Sequence, residues 1–168
     1  MSTVARIMCI AAAALMTFGA VWLWCDPEQL AAHARTIGVS APITPLSDRG
    51  HWIALTIGLV PVGLFVAAML RLSNLFGRFG RGQVLEEENA QRLTQVGWLL
   101  TAMGVATPLA RALQSVALTF DNPSGQKQLA ITLDPGTFGV LAAGAALVAF
   151  GLVLKEAVRL ADENQSFV

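Results

Sequence analysis

The residues able to do chemistry in this chain are few and widely spaced. His33 and His51, with Arg35 between them, are candidates for ligands or for a pH switch, because imidazole titrates near neutrality. Cys9 and Cys25 are the only thiols, and Arg111 is the one charge inside an apolar run, where it could hold an anion or a lipid headgroup. Glu86-Glu87-Glu88-Asn89 could dock a basic partner, and the glycines and arginines of Gly77-Arg78-Phe79-Gly80-Arg81-Gly82 could cradle phosphate.

A simpler account competes with each of these. Cys9 and Cys25 lie roughly 24 Å apart on a continuous helix, against a Cα limit of about 7 Å for a bridge, so neither a disulfide nor a metal framework is expected. The glycine-arginine run lacks the spacing of a phosphate loop and no Lys-Ser/Thr pair follows it, so Arg71, Arg78 and Arg81 read as lipid-headgroup contacts in a topogenic turn. The triple glutamate precedes an apolar run, as acids at the positive end of a helix dipole do. No nucleophile-base pair, ligand spacing or cofactor loop is present, so no catalytic, cofactor-binding or metal residue is expected and the chain reads as non-enzymatic.

The elements that must carry these residues are helices that cross a membrane. Four apolar stretches, Ile7 to Trp24, Trp52 to Leu70, Val96 to Ala112 and Thr137 to Leu154, hold almost no charge. Each covers roughly 25 to 29 Å as a helix, close to the ~30 Å hydrocarbon core of a bilayer. Composition agrees, with 55% hydrophobic and 13% charged residues among 168 and no net charge. A soluble domain would carry about 25% charged residues. The expectation is one integral membrane domain over residues 1–168, an all-α bundle of four transmembrane helices. The first span reads as retained, since Phe18-Gly19-Ala20 puts Phe where signal peptidase needs a small residue. Zero net charge also argues against direct nucleic-acid binding.

Cation placement sets the expected orientation. Arg6, Arg71, Arg78, Arg81, Arg92, Lys155 and Arg159 fall on one side of the spans, against Arg35, Arg49, Lys127 and Arg111 on the other, which puts both termini in the cytoplasm. Outside, Asp26-Pro27 starts a short helix that should reach about Ile37 and stop at Gly38, with Leu30, Ala34 and Ile37 on one face. The second outer loop alternates, Val116, Leu118 and Phe120 with Ala117 and Thr119, then Leu129, Ile131 and Leu133 with Ala130 and Thr132. With Asp121 to Gly125 as turn, this predicts a small β-hairpin whose apolar face is buried. Pro61 and Pro108 should kink two spans, and Gly139, Ala142, Ala143, Ala145, Ala146 and Ala149 offer the fourth span a close-packing face. Arg111, near the outer end of its span, is expected to snorkel, with Asp26, Asp48 or Asp134 as partners if it is buried instead.

Taken in order, Leu75-Phe76-Gly77-Arg78-Phe79-Gly80-Arg81-Gly82-Gln83-Val84-Leu85, Glu88-Asn89, Arg92-Leu93 through Gly97, and the tail Leu160-Ala161-Asp162-Glu163-Asn164 resemble a bacterial four-span membrane family, domain of unknown function twenty-nine seventy-five. The resemblance implies an inner-membrane protein encoded beside a small Cro-like helix-turn-helix regulator. It thereby implies a non-enzymatic protein that binds or sequesters the regulator through its cytoplasmic loop and tail, on Glu86, Glu87, Glu88, Asn89, Asp162, Glu163 and Asn164. The alternatives are a small subunit or assembly factor of a larger membrane complex and, third, an oligomeric transporter component. No ionisable residue sits at mid-membrane depth, which disfavours transport by one chain. Expected partners are the lipid bilayer, the regulator, and further copies or a larger complex; no cofactor is expected.

Overall fold

The computed structural model describes residues 2–41, 48–83, 86–123 and 125–165, the side chains of 162, 164 and 165 excepted. The expected turn residue Ser124, the Val84-Leu85 end of the inner-loop motif and the last three residues of the tail lie outside them. Five helices follow in order, α1 (Ser2–Cys25), α2 (Pro27–Thr36), α3 (Asp48–Phe79), α4 (Glu87–Leu118) and α5 (Pro135–Gln165). Four of these, α1, α3, α4 and α5, are long and apolar enough to cross a membrane. The chain is a multi-pass membrane protein. Side chains such as Leu15, Phe18, Trp98 and Phe150 point outward, 60% to 71% exposed, because lipid rather than a protein core solvates them.

The long helices pack on successive neighbours, α1 on α3, α3 on α4 and α4 on α5. Helices α3 and α4 run unbroken through Pro61 and Pro108. Beyond the apolar spans, α3 continues from Leu70 to Phe79, α4 begins at Glu87 ahead of Val96, and α5 runs past Leu154 to Gln165. These extensions add roughly 13 to 17 Å of helix to each, all at the end that carries both termini.

Closest packing lies between α4 and α5. The buried residues of α5 recur every seventh position, Thr137, Gly144, Gly151 and Val158, and face an α4 seam of the same period, Ala90, Gly97 and Gly104, with Gly144 against Gly97 and Gly151 against Ala90. A Cβ built on Gly97 would lie 2.6 Å from the Val148 nitrogen, and one on Gly144 would lie 2.8 Å from the Thr101 nitrogen. The backbones therefore touch, and glycine is required at both positions. This corrects the expected packing face, because Gly139, Ala142, Ala143, Ala145, Ala146 and Ala149 are not buried. A period of seven, not four, keeps a seam facing its partner along the whole helix.

At the opposite end α2 lies on the bundle. Asp26 caps it, accepting from the Glu28 N–H at 2.9 Å, and Gly38, at φ +88°, ends the turn beyond it. Its Leu30 and Ala34, with Ile37 and Val39, are buried against Trp24, Ala54, Ala117 and Leu118.

The expected β-hairpin is not formed, and no strand occurs among the described residues. Residues 116–118 belong to α4, with Ala117 and Leu118 buried. The returning segment is extended, but hydroxyls take the place of a partner strand. Ala130 N–H donates to Ser115 Oγ at 2.9 Å and Gln128 N–H to Thr119 Oγ1 at 3.0 Å. The Gln128 side chain ties the α2–α3 and α4–α5 connections together, accepting from Ser40 N–H at 3.0 Å and donating to the Gly38 carbonyl at 2.8 Å. The alternation survives with its phase reversed: Ala130 faces in, while Leu129, Ile131 and Leu133 are 62%, 71% and 63% exposed.

Candidate functional site

Helix extensions bring the loop and tail residues to one surface. Arg78 pairs with Glu88 at 2.5 Å and approaches Glu86 at 3.8 Å, while Arg92 reaches Glu88 at 2.6 Å one turn along α4. Lys155 of α5 stands 3.9 Å from Glu87, joining the tail helix to the start of α4. Further along, Arg159 holds Glu156 and Glu163 at 2.5 Å each. Arg71 donates to Gln95 Oε1 at 2.7 Å, and Arg81 is exposed. The acids so placed form a mixed surface of half-exposed ion pairs rather than a bare negative patch.

Asn89 has a different position. It is fully buried, and its amide donates to the Gln83 carbonyl at 2.7 Å, which clamps the connecting loop onto α4. It positions the loop and presents no surface. Asp162 and Asn164 lie on the same terminal turns of α5 as Glu163.

The other end holds a feature that the sequence reading did not assemble. A cavity of about 510 Å³ is bounded by α1, α3, α4 and α5, with α2 over the end away from the termini. Met16, Leu59, Val62, Met103 and Val140 are among its apolar lining. Helices α1 and α5 form opposite walls without packing extensively on each other. Small residues make the space: a Cβ on Gly19 would meet nothing within 4 Å.

Polar groups gather where the cavity meets α2. Gln114, 4% exposed, donates from Nε2 to the Ala54 carbonyl at 3.0 Å, and its Oε1 lies 3.4 Å from His33 Nε2. Gly58 makes room for that amide, since a Cβ there would collide with it. Burial keeps His33 below its ordinary pKa, with the charge of Arg111 acting in the same direction against the Gln114 bond. Arg111 pairs with Asp134 instead of snorkelling alone. The guanidinium, with the Thr137 N–H, holds the Asp134 carboxyl below its ordinary range. Thr137 itself is 6% exposed, lines the cavity, and has a hydroxyl with no hydrogen-bond partner. His51 takes no part; its ring stands edge-on to Trp24 at 5.4 Å.

Compared with known proteins, residues 39–168 match the family model described as "Protein of unknown function (DUF2975)". The chain belongs to this family. No curated protein and no solved structure matches the chain. The DUF2975 match covers α3, α4 and α5, hence the paired-charge surface and the polar head of the cavity on Arg111, Gln114, Asp134 and Thr137. The α1 wall and His33 precede the matched residues. Within this DUF2975 chain the signal for the cavity was Arg111 and Gln114, three apart near the end of an apolar span. Finding it required knowing that α2 folds back over that end.

Proposed function

We propose that this DUF2975 protein is a non-enzymatic binding protein of the bacterial inner membrane, with both termini in the cytoplasm, that docks a small helix-turn-helix regulator on its charged end. One observation carries the reading. The helices α3, α4 and α5 continue past their apolar spans at the same end, and their ion pairs tie those extensions into one platform. This is the end richer in Lys and Arg, which favours a cytoplasmic placement. Exposed pairs of this kind contribute little to stability, so Glu86, Glu87, Glu88 and Glu163 can exchange their partners for the basic face of a DNA-binding protein at little cost. Such exchange would compete with DNA and weaken with salt.

Membrane fractionation of cells expressing the neighbouring regulator tests this. Ending the chain at Arg159 and changing Glu86, Glu87 and Glu88 to Gln should together move the regulator from the membrane to the soluble fraction, with the bundle still inserted. A regulator that is soluble whether or not this protein is present overturns the docking model.

A second reading, a subunit of a larger membrane complex, is favoured by the row of exposed Phe120, Leu129, Ile131 and Leu133 at the far end. Recovery of a stoichiometric complex in mild detergent, lost on changing Ile131 to Asp, would support it over the first.

A further inference from the structure

We propose that the cavity between α1 and α5 binds one chain of an uncharged amphiphile, with a carbonyl or hydroxyl head held at Thr137 and Arg111. Dimensions come first. From Met103 to Gln114 the α4 wall rises about 16 Å, roughly half the ~30 Å hydrocarbon core, which is the reach of a single lipid chain from one leaflet. A volume of about 510 Å³ falls within the range of small-molecule sites, and the lining has their usual character, apolar with a few convergent polar groups. Entry needs no rearrangement of a packed seam, because α1 packs on α3 and α5 on α4.

The head is specified by what is left unsatisfied. A buried hydroxyl without a partner costs free energy, and Thr137 Oγ1 is such a group, on the wall of the cavity. Arg111 uses one N–H on Asp134 and, with five donors on a guanidinium, keeps others to offer. A ligand carbonyl or hydroxyl would accept from both. Charge argues against an ionic head: Arg111 and Asp134 already neutralise one another, so an added carboxylate would have to compete with Asp134 for the guanidinium and an added ammonium would meet the Arg111 cation. Gln114 already spends one N–H on the Ala54 carbonyl and has His33 at its oxygen, so Thr137 and Arg111 are the groups with most left to offer.

The site lies at the opposite end from the docking platform, and its test needs no regulator. Trp24 lines the cavity, whereas Trp22, Trp52 and Trp98 are 54%, 65% and 60% exposed. The full chain with those three changed to Phe, in phospholipid vesicles, makes Trp24 the only tryptophan, in a chain without tyrosine. Three probes sharing one chain brominated close to its head, where Trp24 stands beside Gln114, would be added: a monoacylglycerol, a fatty acid and an alkyl trimethylammonium. Only the monoacylglycerol should quench Trp24 saturably. Thr137→Val, which has the same shape and removes no hydrogen bond within the protein, should weaken that binding about three- to tenfold, the worth of one hydrogen bond. Gly19→Leu, which fills open space, should abolish saturation. Thermal melts of both variants report folding, and because Thr137→Val leaves the packing intact the proposal stays testable even if Gly19→Leu does not fold. Equal, non-saturating quenching by all three probes would show ordinary partitioning into lipid and overturn the site. Tighter binding of the fatty acid would overturn the uncharged head.

Discussion

Gly97→Ala measures how much of this fold rests on backbone contact between α4 and α5. The added methyl would lie 2.6 Å from the Val148 nitrogen and 2.8 Å from the Gly144 oxygen, both main-chain atoms that no rotamer change can move. Non-bonded heavy atoms need about 3.5 Å, so the helices must part by roughly 0.9 Å along the seam. Overpacking of this kind costs about 1 to 3 kcal/mol. Against it stands the gain in helix propensity from Gly to Ala, about 0.8 to 1 kcal/mol. A matched control removes that gain: Gly63→Ala, inside α3, adds a methyl that meets nothing within 4 Å. The difference between the two variants isolates the seam, and its expected size is about 1 to 3 kcal/mol, roughly a 5- to 150-fold change in the folded-to-unfolded ratio. Reversible unfolding of purified protein in mixed micelles, followed by helical circular dichroism, gives both free energies. Equal stabilities for Gly97→Ala and Gly63→Ala would refute the claim that the α4 and α5 backbones touch.

Two further outcomes are expected. In a chain lacking Cys9 and Cys25, a cysteine replacing Gln126 should react with an impermeant maleimide on intact cells and one replacing Gln83 should not; the reverse pattern would invert the proposed orientation. His33 gives a pH dependence. Burial lowers its folded pKa below the ordinary value of about 6.5, so the unfolded chain binds the proton first, and stability that is intact above that value falls as the pH drops beneath it. The groups facing His33 do not mask this, since Gln114 does not titrate and Asp134 is held below its ordinary range by Arg111. The melting temperature of the wild type should therefore fall between pH 7.5 and 5.5 by more than that of His33→Gln, and equal falls would exclude His33 as the cause.

What could be read from the sequence was whatever depends on one segment at a time. Hydropathy alone marks the four spans, and Asp26-Pro27 and Gly38 mark the two ends of α2, because a cap, a proline and a positive-φ glycine act within a few residues of themselves. The hairpin failed because period-two alternation reports an extended chain and not the identity of its neighbour. Thr119, read as part of a strand, and Ser115, which lies between the third span and that strand, supply the acceptors that a strand at 116–120 would have supplied, and this leaves Leu129, Ile131 and Leu133 facing outward.

Helix pairing shows the same limit in a form that arithmetic can relax. Residues 137–151 offer several small faces, and no property of α5 alone selects Gly144 and Gly151 over the exposed alanines. Selection comes from α4, whose Thr94, Gly97 and Thr101 complement only that face. Once the seven-residue step from Ala90 through Gly97 and Gly104 is recognised, its next position is Arg111, and the antiparallel seam on α5 starts at Thr137, three residues after Asp134. The pairing of Arg111 with Asp134, rather than with Asp26 or Asp48, then follows from the register of two consecutive helices. So does the placing of an unpartnered Thr137 hydroxyl beside that pair, so that a single α4–α5 seam closes backbone to backbone at Gly97 and Gly144 and forms the wall of the cavity at Thr137.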